Sequence, residues 1–244
     1  MRGLPKISEV TLITSALSSL VYSRATINPV YGGIDWEEYH RAVRILLASL
    51  GYNIEPRRLK KAIGASLQEL QRHRAKSLEK TNGEIYGAVL RRVGIPADDD
   101  ILKMIHDAFK KHYISTFYPR TEETLKKLAE KYKLALISNT MSDQPREMLE
   151  ETGLDGLFEI IICSRDLGIR KPNPAIFKYV MDEVGVLPGE TVHVGDSVEA
   201  DMEGASDSGI TPIWIKTPDQ GFWPGHAISR FCDLPQFLEK MEEA

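Results

Sequence analysis

Glu190-Thr191-Val192-His193-Val194-Gly195-Asp196-Ser197-Val198-Glu199-Ala200-Asp201 decides the fold. An apolar run, Thr191 to Val194, meets a glycine and then an aspartate. A second aspartate follows five residues later, where a helical segment, Glu199 to Asp207, begins. A buried parallel strand that ends in an acidic loop and turns into a helix has this pattern. Open α/β sheets bind ligands at the carboxyl ends of such strands. Carboxylates there favour a hard, oxygen-seeking cation such as Mg2+.

Working outward from that stretch, strands alternate with helices. Glu9 to Thr14 is a first strand, rich in Val, Ile, Leu and Thr. A helix from Thr121 to Lys131 leads into the strand Lys133 to Asn139. Pro145 opens a short helix that Gly153 closes, and Phe158 to Cys163 is a third strand. Lys171-Pro172-Asn173-Pro174 leads a helix carrying Ile176, Phe177, Val180, Met181 and Val184. Thr211 to Ile215 is the last strand. This alternation predicts an α/β fold, a Rossmann-like, doubly wound parallel sheet. Between the first strand and the rest, residues ~20 to ~116 follow helical periodicity throughout. Asp35 and Glu38 have capping-box spacing, and Gly51 stops that helix. Pro56 opens a second, and Asp98, Asp99 and Asp100 favour the start of a fourth. The predicted organisation is an α/β core of residues 1–19 and 117–244, with an inserted helical cap of residues 20–116. Gly32-Gly33 is a candidate hinge for that cap.

Composition excludes several classes. The 244 residues are 42% hydrophobic and 27% charged, ordinary for a folded domain. A net charge of -4 supplies no basic field for nucleic acid or anionic membrane. Cys163 and Cys232 are too few for a disulfide framework and lack metal-site spacing. The expected home is the cytoplasm. Arg2, Lys6 and the run Val10 to Val21 outline a signal peptide, but Glu9 and the Thr and Ser residues within the run dilute it. The run is also short of the about 20 apolar residues that span a bilayer. His40, His73, His106 and His112 lack zinc-site spacing, and Trp36 and Tyr39 read as helix packing. There is no dinucleotide or P-loop glycine pattern, no repeat and no low-complexity segment.

Five stretches in order carry a resemblance: Phe117-Tyr118-Pro119, Leu125 to Ser138-Asn139, Arg170-Lys171-Pro172-Asn173-Pro174, Val194-Gly195-Asp196 to Asp201, and Gly204-Ala205 with Gly209-Ile210. Together they resemble the haloacid dehalogenase superfamily over Phe117 to Ile215, and the helical block resembles its C1-type cap. The resemblance implies Mg2+ and an aspartate nucleophile after the first strand, in a loop of the form Asp-x-Asp-Gly-Thr. It implies phosphate binding by Ser138 and Asn139, charge neutralisation by Lys171, and metal binding by Asp196 with Asp201 supporting it.

The first motif departs from the family. Ser15 stands at the nucleophile position and Leu17 at the acid/base position, and no aspartate precedes Asp35. A carboxylate attacks at neutral pH unaided, whereas a serine hydroxyl needs a base. Leu17 cannot move a proton. The expectation is a hydrolase-like protein that has lost aspartyl-phosphate catalysis and keeps an anion- or phosphate-binding cleft under the cap, with Mg2+ weakened. The alternatives are an active Mg2+-dependent phosphatase on a small phosphorylated metabolite, and a non-catalytic interaction protein with a protein partner or a second copy. His193, flanked by valines, reads as a core residue. With the first carboxylate missing, Lys171 is expected to pair with Asp196.

Overall fold

The computed structural model describes residues 11–14, 21–23, 35–113, 115–117, 119–216 and 221–243. Ser15, Leu17, the Gly32-Gly33 hinge and most of the Val10 to Val21 run lie outside the described residues. The chain divides into two compact units, Met1–Tyr22 with Phe117–Ala244, and Ser23–Thr116.

The second unit is built on four helices: α1 (Trp36–Ser49), α2 (Pro56–Arg74), α3 (Asn82–Val93) and α4 (Asp99–His112). Local chemistry sets their ends. Asp35 Oδ1 accepts from the Glu37 and Glu38 amides at 3.0 Å. Thr81 and Glu84 form a reciprocal capping box, which starts α3 at Asn82. Gly94 ends α3 at φ 79, a left-handed conformation that costs glycine nothing. Tyr39, Val43 and Leu47 of α1 are buried, as are Leu59, Ile63 and Leu70 of α2. Tyr39 meets Tyr86 and Phe109 edge-on, with centroids 5.7 Å apart in each pair, so the core here is an aromatic seam.

The first unit is a six-stranded sheet in the order β5-β4-β1-β6-β7-β8. Its strands are β1 (Thr11–Thr14), β4 (Lys133–Ser138), β5 (Phe158–Cys163), β6 (Thr191–Gly195), β7 (Thr211–Ile215) and β8 (His226–Ile228). Every recorded pairing is parallel. Two short strands, β2 (Val21–Ser23) and β3 (Ser115–Phe117), form a separate pair, where the helical periodicity had suggested no strand. Helices α5 (Thr121–Ala129), α6 (Gln144–Thr152), α7 (Pro174–Val184) and α8 (Leu234–Glu242) complete this unit.

Strand β4 shows why the sheet is covered on both faces. Leu134 and Leu136 join Leu125, Leu128, Val192, Val194 and Leu238 in one cluster. Ala135 and Ile137 join Ile176, Phe177 and Val180 in the other. Alternation along one strand thus feeds two cores. Each large aliphatic side chain removed from water contributes about 1.5–3 kcal/mol.

Thr211–Ile215 is not the last strand, because β8 and α8 follow it. The register places Thr14 opposite both Leu136 and Val194. The carboxyl end of β1 therefore falls between those of β4 and β6, which carry Ser138 and Asp196. Among the described residues, no helix is long and apolar enough to cross a membrane.

Candidate functional site

Three strand-end segments of the α/β unit meet around one buried ammonium. Lys171 follows β5 in the loop that leads to α7, and only 3% of it is exposed. Its Nζ donates to the Ile137 carbonyl at 2.9 Å, near the end of β4. It also meets Asp201 Oδ1 at 2.8 Å. An ammonium has three N–H donors. The described residues provide Nζ with these two acceptors, which leaves one N–H for a ligand.

Asn139 holds the backbone of the same residue. Its Oδ1 accepts from the Lys171 amide and its Nδ2 donates to the Lys171 carbonyl, both at 2.9 Å. The carboxamide was expected to bind phosphate; here both of its polar ends clamp the lysine loop to the end of β4. Ser138, one residue earlier, ends β4 and is buried.

The acidic loop is wound tightly. Val198–Glu203 forms a π-helical turn that runs into a single α-turn, Gly204–Asp207. Ser197 Oγ accepts from the Ala200 amide at 3.1 Å, and the Ser197 amide donates to Asp201 Oδ2 at 3.0 Å. This reciprocal pair turns the Asp201 side chain back toward the sheet. A Cβ on Gly204 would lie 2.9 Å from Phe177 and 3.0 Å from the Pro172 backbone. Only glycine lets the helix after the acidic loop approach the lysine loop so closely.

Asp201 was expected to support a metal ion. In the structure it is buried and binds Lys171 and His193 through Oδ1, with His193 Nε2 at 3.2 Å. Burial pushes its carboxyl up, but the Lys171 charge and the His193 hydrogen bond outweigh that and hold it well below the usual carboxylate range. Burial pushes Lys171 down from its ordinary value, while Asp201, and to a smaller extent Asp196, oppose the shift. Burial also pushes His193 down, while Asp201 opposes the shift.

The expected Lys171–Asp196 ion pair is therefore corrected: the carboxylate that meets the lysine is Asp201. Asp196 is half-buried at the end of β6 and acts on Lys171 through space. Its carbonyl accepts a 2.9 Å hydrogen bond from Trp214 Nε1 on β7.

Two site residues were missed in the sequence. For His193 the signal lay in the strand's alternation, which puts it on the face opposite Val192 and Val194, toward Phe177. Trp214 gave a weaker signal, an indole N–H in an otherwise apolar strand.

Mg2+ keeps several waters and takes one or two carboxylates plus substrate oxygens. Asp201 already has hydrogen bonds to both oxygens. Among the described residues, no three His, Cys, Asp or Glu side chains gather into a metal cluster. The donor set fits a water-rich Mg2+ on the Asp196 carboxylate, with Asp201 behind it.

Comparison with known proteins extends this picture. A model of haloacid dehalogenase-like hydrolases matches residues 37–215. A curated phosphoserine phosphatase of Thermus thermophilus is 32% identical over 117 residues, 48% of this chain and 46% of the relative. The chain thus aligns with about half the length of that relative. Among solved structures, a 2-haloacid dehalogenase of Pseudomonas syringae superposes with a TM-score of 0.70 at 23% identity, covering 95% of this chain and 99% of the other. The hydrolase YfnB of Bacillus subtilis, bound to magnesium, gives a TM-score of 0.60 at 20% identity, covering 95% and 99%. At these identities the likeness is one of fold.

Proposed function

Because the chain belongs to the haloacid dehalogenase-like hydrolase family, and because no aspartate precedes Asp35, we propose that it binds a phosphorylated small molecule without aspartyl-phosphate turnover. The supporting observation is the Lys171 ammonium, held by Asp201 and Ile137 with one N–H unassigned, at the sheet edge where Ser138 ends β4. A buried cation and a hydroxyl at a strand edge suit a phosphate group, whose oxygens accept charge-assisted hydrogen bonds.

The chemistry stops at binding for two reasons. Ser15, at the nucleophile position, is a poor nucleophile without a base, and His193 is buried against Asp201 rather than presented as one. Leu17, at the acid/base position, gives no proton to a leaving group. Mg2+ would neutralise charge on a bound phosphoryl group. With Asp196 as its main carboxylate, and no first-loop aspartate, the hold on it is weakened.

The second reading is an active Mg2+-dependent phosphatase, favoured by the phosphatase name of the Thermus thermophilus relative. One experiment separates the two. The purified protein is given p-nitrophenyl phosphate with Mg2+, alongside Asp196→Asn, and inorganic phosphate binding is followed by calorimetry. We expect phosphate binding that Lys171→Met weakens, and no turnover above background. Turnover abolished by Asp196→Asn would establish the phosphatase reading. Where wild type shows no turnover, Ser15→Asp combined with Leu17→Asp should create a measurable rate.

A further inference from the structure

One buried titratable side chain of the α/β unit takes no part in that function: His193. It lies in the middle of β6, fully buried, with its ring edge-on to Phe177 at 5.1 Å. Its Nε2 faces Asp201 Oδ1 at 3.2 Å. An ionised carboxylate only accepts, so a neutral ring facing it carries its proton on Nε2. Nδ1, the acceptor of that tautomer, has no hydrogen-bond partner among the described residues. Leaving a buried acceptor unsatisfied costs free energy. A leucine or phenylalanine would fill the same space, next to Phe177, without that cost. What a histidine supplies here and an apolar residue does not is the Nε2–H.

We infer that His193 is a positioning residue for the anion site: its Nε2–H fixes the Asp201 carboxylate, which in turn holds the Lys171 ammonium at the sheet edge. This role rests on the reading of Lys171 as a phosphate donor. Two of the three groups on the Asp201 oxygens are side chains, Lys171 and His193, and they share Oδ1. The third, the Ser197 amide, binds Oδ2 and belongs to the same turn as Asp201. The Ser197 bond holds Oδ2 from within the same turn, and the two side chains on Oδ1 tie the carboxylate to other parts of the unit. Without His193, Oδ1 keeps only the lysine of these two, and the carboxylate loses its tie to β6. His193 anchors the pair to the rigid centre of the sheet. It acts through Asp201 and does not touch the ligand.

The test compares His193→Gln, which keeps a side-chain N–H donor, with His193→Met, which is apolar and of similar bulk. His193→Leu is a third variant should Met fail to fold. Nitrogen-15 labelling of His and Lys gives two readouts independent of turnover: the imidazole tautomer and the proton exchange of the Lys171 ammonium. Wild type should show the Nε2–H tautomer and a protected ammonium. Met should lose protection and bind inorganic phosphate about tenfold more weakly, the size of effect typical when the partner of a site residue is removed. Gln should stay close to wild type in both.

Equal Lys171 exchange and equal phosphate affinity in folded Met and Gln variants would overturn the proposal. If wild type binds no phosphate but Lys171 protection still depends on His193, the positioning role stands and the anion-site reading fails. If phosphate binds Met as tightly as wild type, the anion site stands and the positioning role fails.

Discussion

Among the described residues each unit buries one carboxylate, and the two are used differently. In the helical unit Glu79 is 5% exposed, and its Oε1 takes Arg74 Nε at 3.1 Å and the Lys80 amide at 3.2 Å. These partners are near in sequence, and the pair fastens the turn between α2 and α3. In the α/β unit Asp201 is 3% exposed and takes partners from separate segments, Lys171 in the loop before α7 and His193 in the middle of β6. Arg74 is partly open to solvent, whereas Lys171 is nearly closed off. A local pair secures one turn. A buried pair assembled from distant segments fixes a charge where strand ends meet, which is the arrangement that the proposed anion site calls on.

That contrast can be broken by substitution. The largest effect is expected for Asp201→Asn, which leaves the Lys171 charge buried without its counter-ion. Breaking such a pair costs about 3–5 kcal/mol, read as a lower urea midpoint, and should abolish phosphate binding. The pH dependence has a definite sign. The Asp201 carboxyl is held below its ordinary value, so its contribution is present above about pH 4 and is lost as pH falls through its folded value. The stability gap between wild type and Asp201→Asn should therefore be widest near neutrality and shrink below about pH 3. A gap independent of pH would show that the ion pair is not its source.

Gly204→Ala comes next. The added methyl meets Phe177 and the Pro172 backbone, and overpacking of this kind costs about 1–3 kcal/mol. It also pushes the lysine loop, so phosphate affinity should fall with stability. Glu79→Gln should cost about 1 kcal/mol and leave the Lys171 ammonium signal unchanged. A shift of that signal would contradict the distinction between local and assembled pairs. The smallest effect belongs to Glu69, whose pairs with Lys80 at 2.7 Å and Arg92 at 3.0 Å lie at the surface. Glu69→Gln should not change the melting midpoint measurably at high salt, where surface pairs are screened.

Much of this was legible in the chain. Phe158–Cys163 and Thr211–Ile215 are the strands their apolar runs announce, and Gly153 ends the helix it was read as ending. Strand β8 was not legible, because three residues, His226–Ile228, are too short to show a period. At the site, residue types and order nominated Ser138, Asn139, Lys171, Asp196 and Asp201. They did not reveal what each holds. A sequence gives Asn139 a place after β4, but only geometry shows its carboxamide turned onto the Lys171 backbone. Likewise Asp196 and Asp201 are equivalent as acids in sequence. The winding of the turn between them decides which one faces the lysine.

Trp214 gives the molecule an internal optical reporter. Its indole is nearly buried in β7, and its Nε1–H is tied to the carbonyl of Asp196. Indole emission depends on the field and the hydrogen bonding around that N–H. A cation drawn to Asp196, or a phosphate group drawn to Lys171, changes the charge within the loop that the ring is bonded to. Occupancy of the acidic edge can thus be followed by fluorescence, without labels and without turnover, once the other two tryptophans, Trp36 and Trp223, are replaced by phenylalanine.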